Sequence, residues 1–170
     1  MEQKPVCSKR NSTCCVILNQ RKEVFIYMFQ IQVSRLTPGL LSIAETGAPD
    51  RIALISIMDH KRDCRERFPS ARVLRLCFDD AEDASFWQNL MTSEQADAIC
   101  AFILRYGREI DTLIIHCTEG VSRSPAVAAG ILGGLRQDES QIWGNSAYRP
   151  NPYVYRLVRE AFVRGVRWKT

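Results

Sequence analysis

The residues best placed to do chemistry are the nine from His116 to Ser124, HCTEGVSRS. They follow a short apolar run, Thr112 to Ile115, and lead directly into a longer one, Pro125 to Leu135 (PAVAAGILGGL). A strand feeding a helix through such a turn leaves unpaired backbone N–H groups at the positive end of the helix dipole, which favours an anion there. Gly120 lets the backbone curl, because it accepts conformations closed to residues with a Cβ. Arg123 adds a planar guanidinium able to hold two phosphate oxygens at once. Cys117 stands at the head of this cradle. A free cysteine is mostly thiol at neutral pH, but converging N–H groups, a helix N-terminus and an arginine all favour the thiolate. The field that collects a phosphate dianion thus also prepares a nucleophile and aims it at phosphorus. The chemistry implied is attack on a phosphate monoester, departure of an alcohol or phenol, and hydrolysis of the resulting phosphocysteine.

Cys117, five intervening residues, Arg123 and Ser124, with His116 in front, resemble the H-C-x5-R-S/T signature of the cysteine-based protein tyrosine phosphatase superfamily. In length and in the late position of the motif, the chain is similar to the small dual-specificity-like phosphatases. The resemblance covers roughly residues 29 to 160 and implies a tyrosine-phosphatase-like fold. It makes Cys117 the nucleophile and Arg123 the phosphate clamp, with Thr118, Glu119, Gly120, Val121, Ser122 and Arg123 forming the substrate-binding loop. It gives His116 a part in tuning the thiolate and Ser124 a part in thiolate departure. It also implies an aspartate from an upstream loop as general acid, a contribution typically of about 10²–10⁴ in rate. Phe78-Asp79-Asp80-Ala81-Glu82-Asp83 offers three. Asp80 is the expected one, because the second aspartate acts in similar FDD loops, and Asp79 and Asp83 remain alternatives. Glu119 is a departure, a carboxylate within the loop whose side chain is expected to point away from the phosphate. Asn151-Pro152 resembles a segment that follows the catalytic helix in relatives. Taken by itself it is a helix cap followed by a proline at the first helical position.

The elements needed to hold this loop are legible around it. Glu23 to Val33 is apolar, aromatic and β-branched, and predicts a first strand. Thr37-Pro38 begins a short helix running toward Thr46, and Gly47-Ala48-Pro49-Asp50 is a turn. Ile52 to Met58 (IALISIM) is an almost unbroken apolar run, as in a strand covered on both faces. Arg72 to Phe78 predicts another strand. Thr92-Ser93-Glu94-Gln95 has the capping-box pattern, and Ala96, Ile99, Cys100 and Ile103 then share one helical stripe. Pro125 to Leu135 is apolar around most of its circumference, so that helix is expected to be central. A short helix after Asp138 and a final one from Asn151-Pro152 complete the chain. Strands alternating with helices predict a single α/β domain with a central, mostly parallel sheet of four or five strands flanked by helices. Residues 1–22 are expected to be a flexible tail, and 23–170 the phosphatase domain.

Composition narrows the setting. The chain has 170 residues, 46% of them hydrophobic and 25% charged, enough for one packed domain. The net charge is +4, most of the 23 basic residues being arginine, which suits anionic substrates. No basic stripe interleaved with aromatics argues for nucleic acid. The cluster Lys61, Arg62, Arg65 and Arg67 reads first as a solvated loop and second as an attractor for acidic substrates. The longest dense apolar run, Val24 to Phe29, is too short to span a membrane, and the first residues lack a signal-peptide pattern, so a cytoplasmic monomer is expected. The seven cysteines (Cys7, Cys14, Cys15, Cys64, Cys77, Cys100, Cys117) are odd in number and irregularly spaced, and all but Cys117 are expected to be small buried thiols. With two histidines and no CxxC pair, no metal site or cofactor is expected. The partner expected is a phosphorylated protein or another phosphomonoester. Two other classes compete: a phosphate-binding pseudophosphatase, and a thiol-chemistry enzyme such as an arsenate reductase or sulfurtransferase. The former would lack the nucleophile, arginine or acid. Arsenate reduction would need a resolving cysteine, for which only Cys77 or Cys100 is available.

Overall fold

A computed structural model of the chain describes residues 15–18, 24–59, 67–70, 72–83 and 89–167. Lys61, Arg62 and Arg65 of the basic cluster, and the N-terminal stretch through residue 14, lie outside the described residues. Strands β1 (Cys15–Leu18) and β2 (Val24–Tyr27) pair antiparallel as a separate two-stranded sheet. β3 (Gln30–Arg35) follows, then α1 (Pro38–Thr46), β4 (Ile52–Met58), β5 (Arg67–Ser70) and β6 (Val73–Cys77). The second half runs α2 (Ser93–Tyr106), β7 (Thr112–Cys117), α3 (Arg123–Gly134), α4 (Ser140–Trp143) and α5 (Pro152–Arg167).

The main sheet has five strands in the order β3-β7-β4-β6-β5. The first four are parallel, and β5 closes one edge antiparallel to β6. This is the expected α/β domain with a mostly parallel sheet. Two boundaries differ from expectation. The strand predicted over Glu23 to Val33 divides at Met28 and Phe29, its first part pairing with β1 and its second with β7. An apolar run signals burial without saying which neighbour will supply the hydrogen bonds. Cys15–Leu18, placed by the sequence in the tail, is likewise a strand.

Local signals set the helix starts. Thr37 caps α1, its hydroxyl accepting from Leu40 N at 3.3 Å, with Pro38 at the first helical position. Thr92 and Gln95 form a reciprocal capping box at α2, an arrangement that satisfies two otherwise orphaned donors. The larger core lies on one face of the sheet, where Ile55, Ile57, Leu113 and Ile115 meet Ile99, Phe102, Ile103 and Phe162 of α2 and α5. α3 is buried along its length from Arg123 to Leu132. It packs tightly on α5 because a Cβ at Gly130 would fall 2.7 Å from Val158 Cβ, and one at Gly134 2.5 Å from Phe162 Cβ. A smaller cluster, Leu40, Ala44, Leu54 and Val73, seats α1 on the other face. Burying side chains of this size stabilises by roughly 1.5–3 kcal/mol each. The sheet therefore sits rigidly between layers, with the ends of β4, β6 and β7 at one edge.

Among the described residues, no helix is long and apolar enough to cross a membrane.

Candidate active site

β7 is the central support. It pairs with β3 on one side and, up to His116, with β4 on the other, and Cys117, its last residue, is held in register with Arg35 of β3. Cys117 is 2% exposed. The chain then turns through Thr118–Ser122 and enters α3 at Arg123, two residues earlier than the apolar run suggests. Parallel sheets place their ligand sites at this kind of edge. Gly120 has φ +72°, and its N–H donates to Cys117 Sγ at 3.2 Å. Ser124 Oγ lies 3.2 Å from the same sulfur, from the first turn of α3. Among the described residues, nothing accepts a hydrogen bond from the N–H groups of Thr118, Glu119, Val121 and Ser122. These loop donors are available to a ligand, and the Gly120 N–H faces the sulfur. Glu119 and Val121 are exposed on the rim.

Arg123 is 5% exposed and held from three directions. One terminal nitrogen donates to the Phe78 carbonyl at 2.8 Å, while the other donates to Thr118 Oγ1 at 3.2 Å and ion-pairs with Asp59 Oδ1 at 2.7 Å. Its Nε is buried and has no partner among the described residues. A buried guanidinium donor is costly to leave unpaired, so the cradle is incomplete as it stands. An oxyanion lying between Arg123 and the loop N–H groups would complete it.

Asp59 was not legible as a site residue. It directly follows β4, with its side chain 30% exposed, and its other oxygen accepts from Thr118 Oγ1 at 2.9 Å. In the sequence it looks like the first polar residue of a basic loop. The available signal was positional, because the residue after a parallel strand adjoining β7 must fall at the site edge.

The three candidate acids separate clearly. Asp80 reaches the loop: its Oδ1 accepts from Ser122 Oγ at 2.8 Å and from Asn151 Nδ2 at 2.9 Å. Asp79 turns into its own segment, where Oδ2 accepts from Asn89 N at 2.8 Å. Asp83 is exposed. Asn151 does cap α5, its Oδ1 accepting from Tyr153 N and Val154 N at 3.0 and 3.1 Å, and it also faces Asp80. His116 points to the opposite face of the sheet, level with Ser56 in the β4–β7 register, and is fully buried. Burial pushes its imidazole down to about 4, opposed by the nearby Cys117 backbone, which lacks hydrogen-bond geometry to either ring nitrogen. The ring is therefore neutral at pH 7, so its influence on Cys117 cannot come from a positive charge.

Of the other cysteines, Cys100 is a buried thiol beside Gly165, within the α2–α5 packing. Cys77 is disulfide-bonded, which corrects the expectation of a thiol there. Irregular spacing in sequence does not exclude a pairing made by the fold. Among the described residues, no three His, Cys, Asp or Glu side chains come together as metal ligands.

No protein-family model matches the sequence, and no curated protein matches it significantly. The fold is similar to solved phosphatases. Human DUSP28 aligns at 14% identity over 82% of this chain and 95% of that one, with a TM-score of 0.49. A point variant of the same human protein gives 16% identity, 82% and 92% coverage, and a TM-score of 0.49. The PTP-2 phosphatase of Cydia pomonella aligns at 17% identity over 86% and 88% of the two chains, with a TM-score of 0.46.

Proposed function

We propose that the protein is a cysteine-dependent phosphatase that hydrolyses phosphate monoesters through a phosphocysteine at Cys117. The observation that carries this reading is the buried Arg123, whose Nε has no partner among the described residues, on the same short loop that turns the Gly120 N–H onto the Cys117 sulfur. A phosphate dianion bound there satisfies the orphaned donor and the free loop N–H groups together. In-line attack by the thiolate then forms the S–P bond while the bond from phosphorus to the ester oxygen breaks. Asp80 delivers its proton to that departing oxygen, leaving an alcohol or phenol. In the second step water attacks phosphorus and gives a proton back to Asp80. The S–P bond breaks with its electron pair returning to sulfur, inorganic phosphate leaves, and the Ser124 hydroxyl stabilises the departing thiolate. Asp59 holds Arg123 rather than donating a proton, since both its oxygens are already engaged by Arg123 and Thr118. Phosphotyrosine or phosphoserine/threonine in proteins is the substrate class proposed, in keeping with the basic balance of the chain.

The test is hydrolysis of p-nitrophenyl phosphate by the wild type and Cys117→Ser, with EDTA and then vanadate added. Turnover that resists EDTA, is blocked by vanadate and disappears in Cys117→Ser is the expected result. A wild type that binds vanadate tightly but turns over nothing would move the protein to the phosphate-binding pseudophosphatases.

A further inference from the structure

Asn151 lies at the base of α5, 71 residues from Asp80 in sequence, yet the fold brings their side chains together. It is 3% exposed and uses every hydrogen-bonding position it has. Oδ1 accepts from Tyr153 N and Val154 N, and Nδ2 donates to Asp80 Oδ1 at 2.9 Å and to the Ala81 carbonyl at 3.2 Å. Both acceptor positions face backbone N–H groups, so the amide cannot be turned over, and its NH₂ must face Asp80. Ser122 adds a second donor to the same Asp80 oxygen. Ser122 is also the N-cap residue of α3, yet its side chain makes no capping hydrogen bond. It gives up the usual role of a serine in that position and grips Asp80.

We propose that Asn151 is a positioning residue for the general acid: it clamps the Asp80 segment to the head of α5 and fixes which carboxyl oxygen carries the transferred proton. The inference rests on the phosphatase reading above. Oδ1 is occupied by two donors, so a proton on the carboxyl group must sit on Oδ2, which has no partner among the described residues. In the first step that Oδ2–H bond breaks, the proton passes to the leaving oxygen, and the resulting carboxylate is stabilised by Ser122 and Asn151. In the second step water returns a proton to Oδ2. Anchoring at Ala81 as well keeps the adjoining peptide from drifting off the loop.

The test separates positioning from capping. Asn151→Ser keeps an oxygen able to cap α5 but loses the amide donor, and Asn151→Asp keeps the cap while setting a carboxylate against Asp80. Both are compared with wild type and Asp80→Asn on aryl phosphates running from p-nitrophenyl to phenyl phosphate. Vanadate inhibition and thermal melting are followed alongside. Both Asn151 variants are expected to lose little on p-nitrophenyl phosphate and roughly 10–100-fold in kcat on phenyl phosphate, a part of the general-acid contribution. Their vanadate inhibition should stay within about twofold of wild type, because the cradle itself is untouched. Equal losses on every leaving group would mean that Asn151 is only a structural cap and would overturn the proposal. Wild-type kcat on phenyl phosphate in Asn151→Ser, or no leaving-group effect in Asp80→Asn, would overturn it as well. An inactive wild type instead removes the phosphatase reading itself.

Discussion

Replacing Gly120 by alanine tests whether the loop's shape, rather than its residue types alone, makes the site. At Gly120 the backbone has φ +72°, and a Cβ there would lie 2.6 Å from Arg35 N, 2.8 Å from Ser34 C and 2.9 Å from Ser34 O. These are backbone atoms of β3, so no side-chain rotation relieves the clash. Ordinary contact begins at 3.4 Å, so the closest pair must separate from 2.6 Å by about 0.8 Å. The left-handed backbone costs an alanine about 1–2 kcal/mol, and forcing the loop off β3 adds about 1–3 kcal/mol. The sum of about 2–5 kcal/mol should lower the melting temperature by roughly 4–20 °C in a chain of this size. The movement also carries the Gly120 N–H away from Cys117 Sγ and strains the Leu36 N–H hydrogen bond to the Thr118 carbonyl. A misplacement approaching 1 Å can cost about 100-fold, so kcat/KM on p-nitrophenyl phosphate should fall by that order and vanadate should bind more weakly. Steady-state kinetics, vanadate inhibition and a thermal melt measure all three quantities on one preparation. A variant that melts with the wild type and keeps kcat/KM within about threefold refutes the reasoning. Neither the positive φ nor the contact with β3 would then set the loop.

Three further outcomes follow from the same geometry. Arg123→Lys keeps the charge but loses the fork that spans the Phe78 carbonyl, Thr118 and Asp59; vanadate affinity should fall about 10²–10³-fold by titration, from one or two charge-assisted hydrogen bonds. Ser124→Ala removes the hydroxyl 3.2 Å from the Cys117 sulfur; thiolate departure should slow by about 10–10², seen as a burst of p-nitrophenol before a slow steady state. His116 has its folded-state value lowered from 6.5 to about 4, so the unfolded chain binds the proton first as pH falls. Stability should therefore decline from about pH 6.5 to about pH 4, by about 3 kcal/mol for this one group, and urea unfolding of His116→Gln should lack that one-proton slope.

Much of the fold was legible because local rules and tertiary packing agree along most of the chain. The capping patterns at Thr37 and Thr92 begin α1 and α2 as read, and the unbroken apolar run Ile52 to Met58 is a sheet-interior strand. Disagreements arise where a choice depends on a distant neighbour. Residues 23 to 33 read as one strand, but β1 takes the first part and β7 the second. Cys77 looks like an ordinary buried thiol until the fold supplies its partner.

The candidate site divides in the same way. The candidate loop with Cys117, Gly120, Arg123 and Ser124 stood out in the sequence because a cysteine at a strand end, a tight turn and a helix N-terminus are built from consecutive residues. Asp80 was preferred over Asp79 and Asp83 through the resemblance of the FDD loop alone, since all three sit in one short polar loop and local spacing does not separate them. Which of them meets Ser122 and Asn151 is a tertiary matter, and it is Asp80. Asp59 and Asn151 are separated from the loop by dozens of residues, and each has an adequate local explanation as a loop residue or a cap. Their contacts with Arg123 and Asp80 exist only because a parallel sheet gathers the ends of its strands at one edge. The sequence by itself determined the candidate loop and the elements that flank it. The tertiary structure alone decided which acids and amides surround that loop, because hydrogen bonds between segments far apart in the chain leave no periodicity or spacing in it.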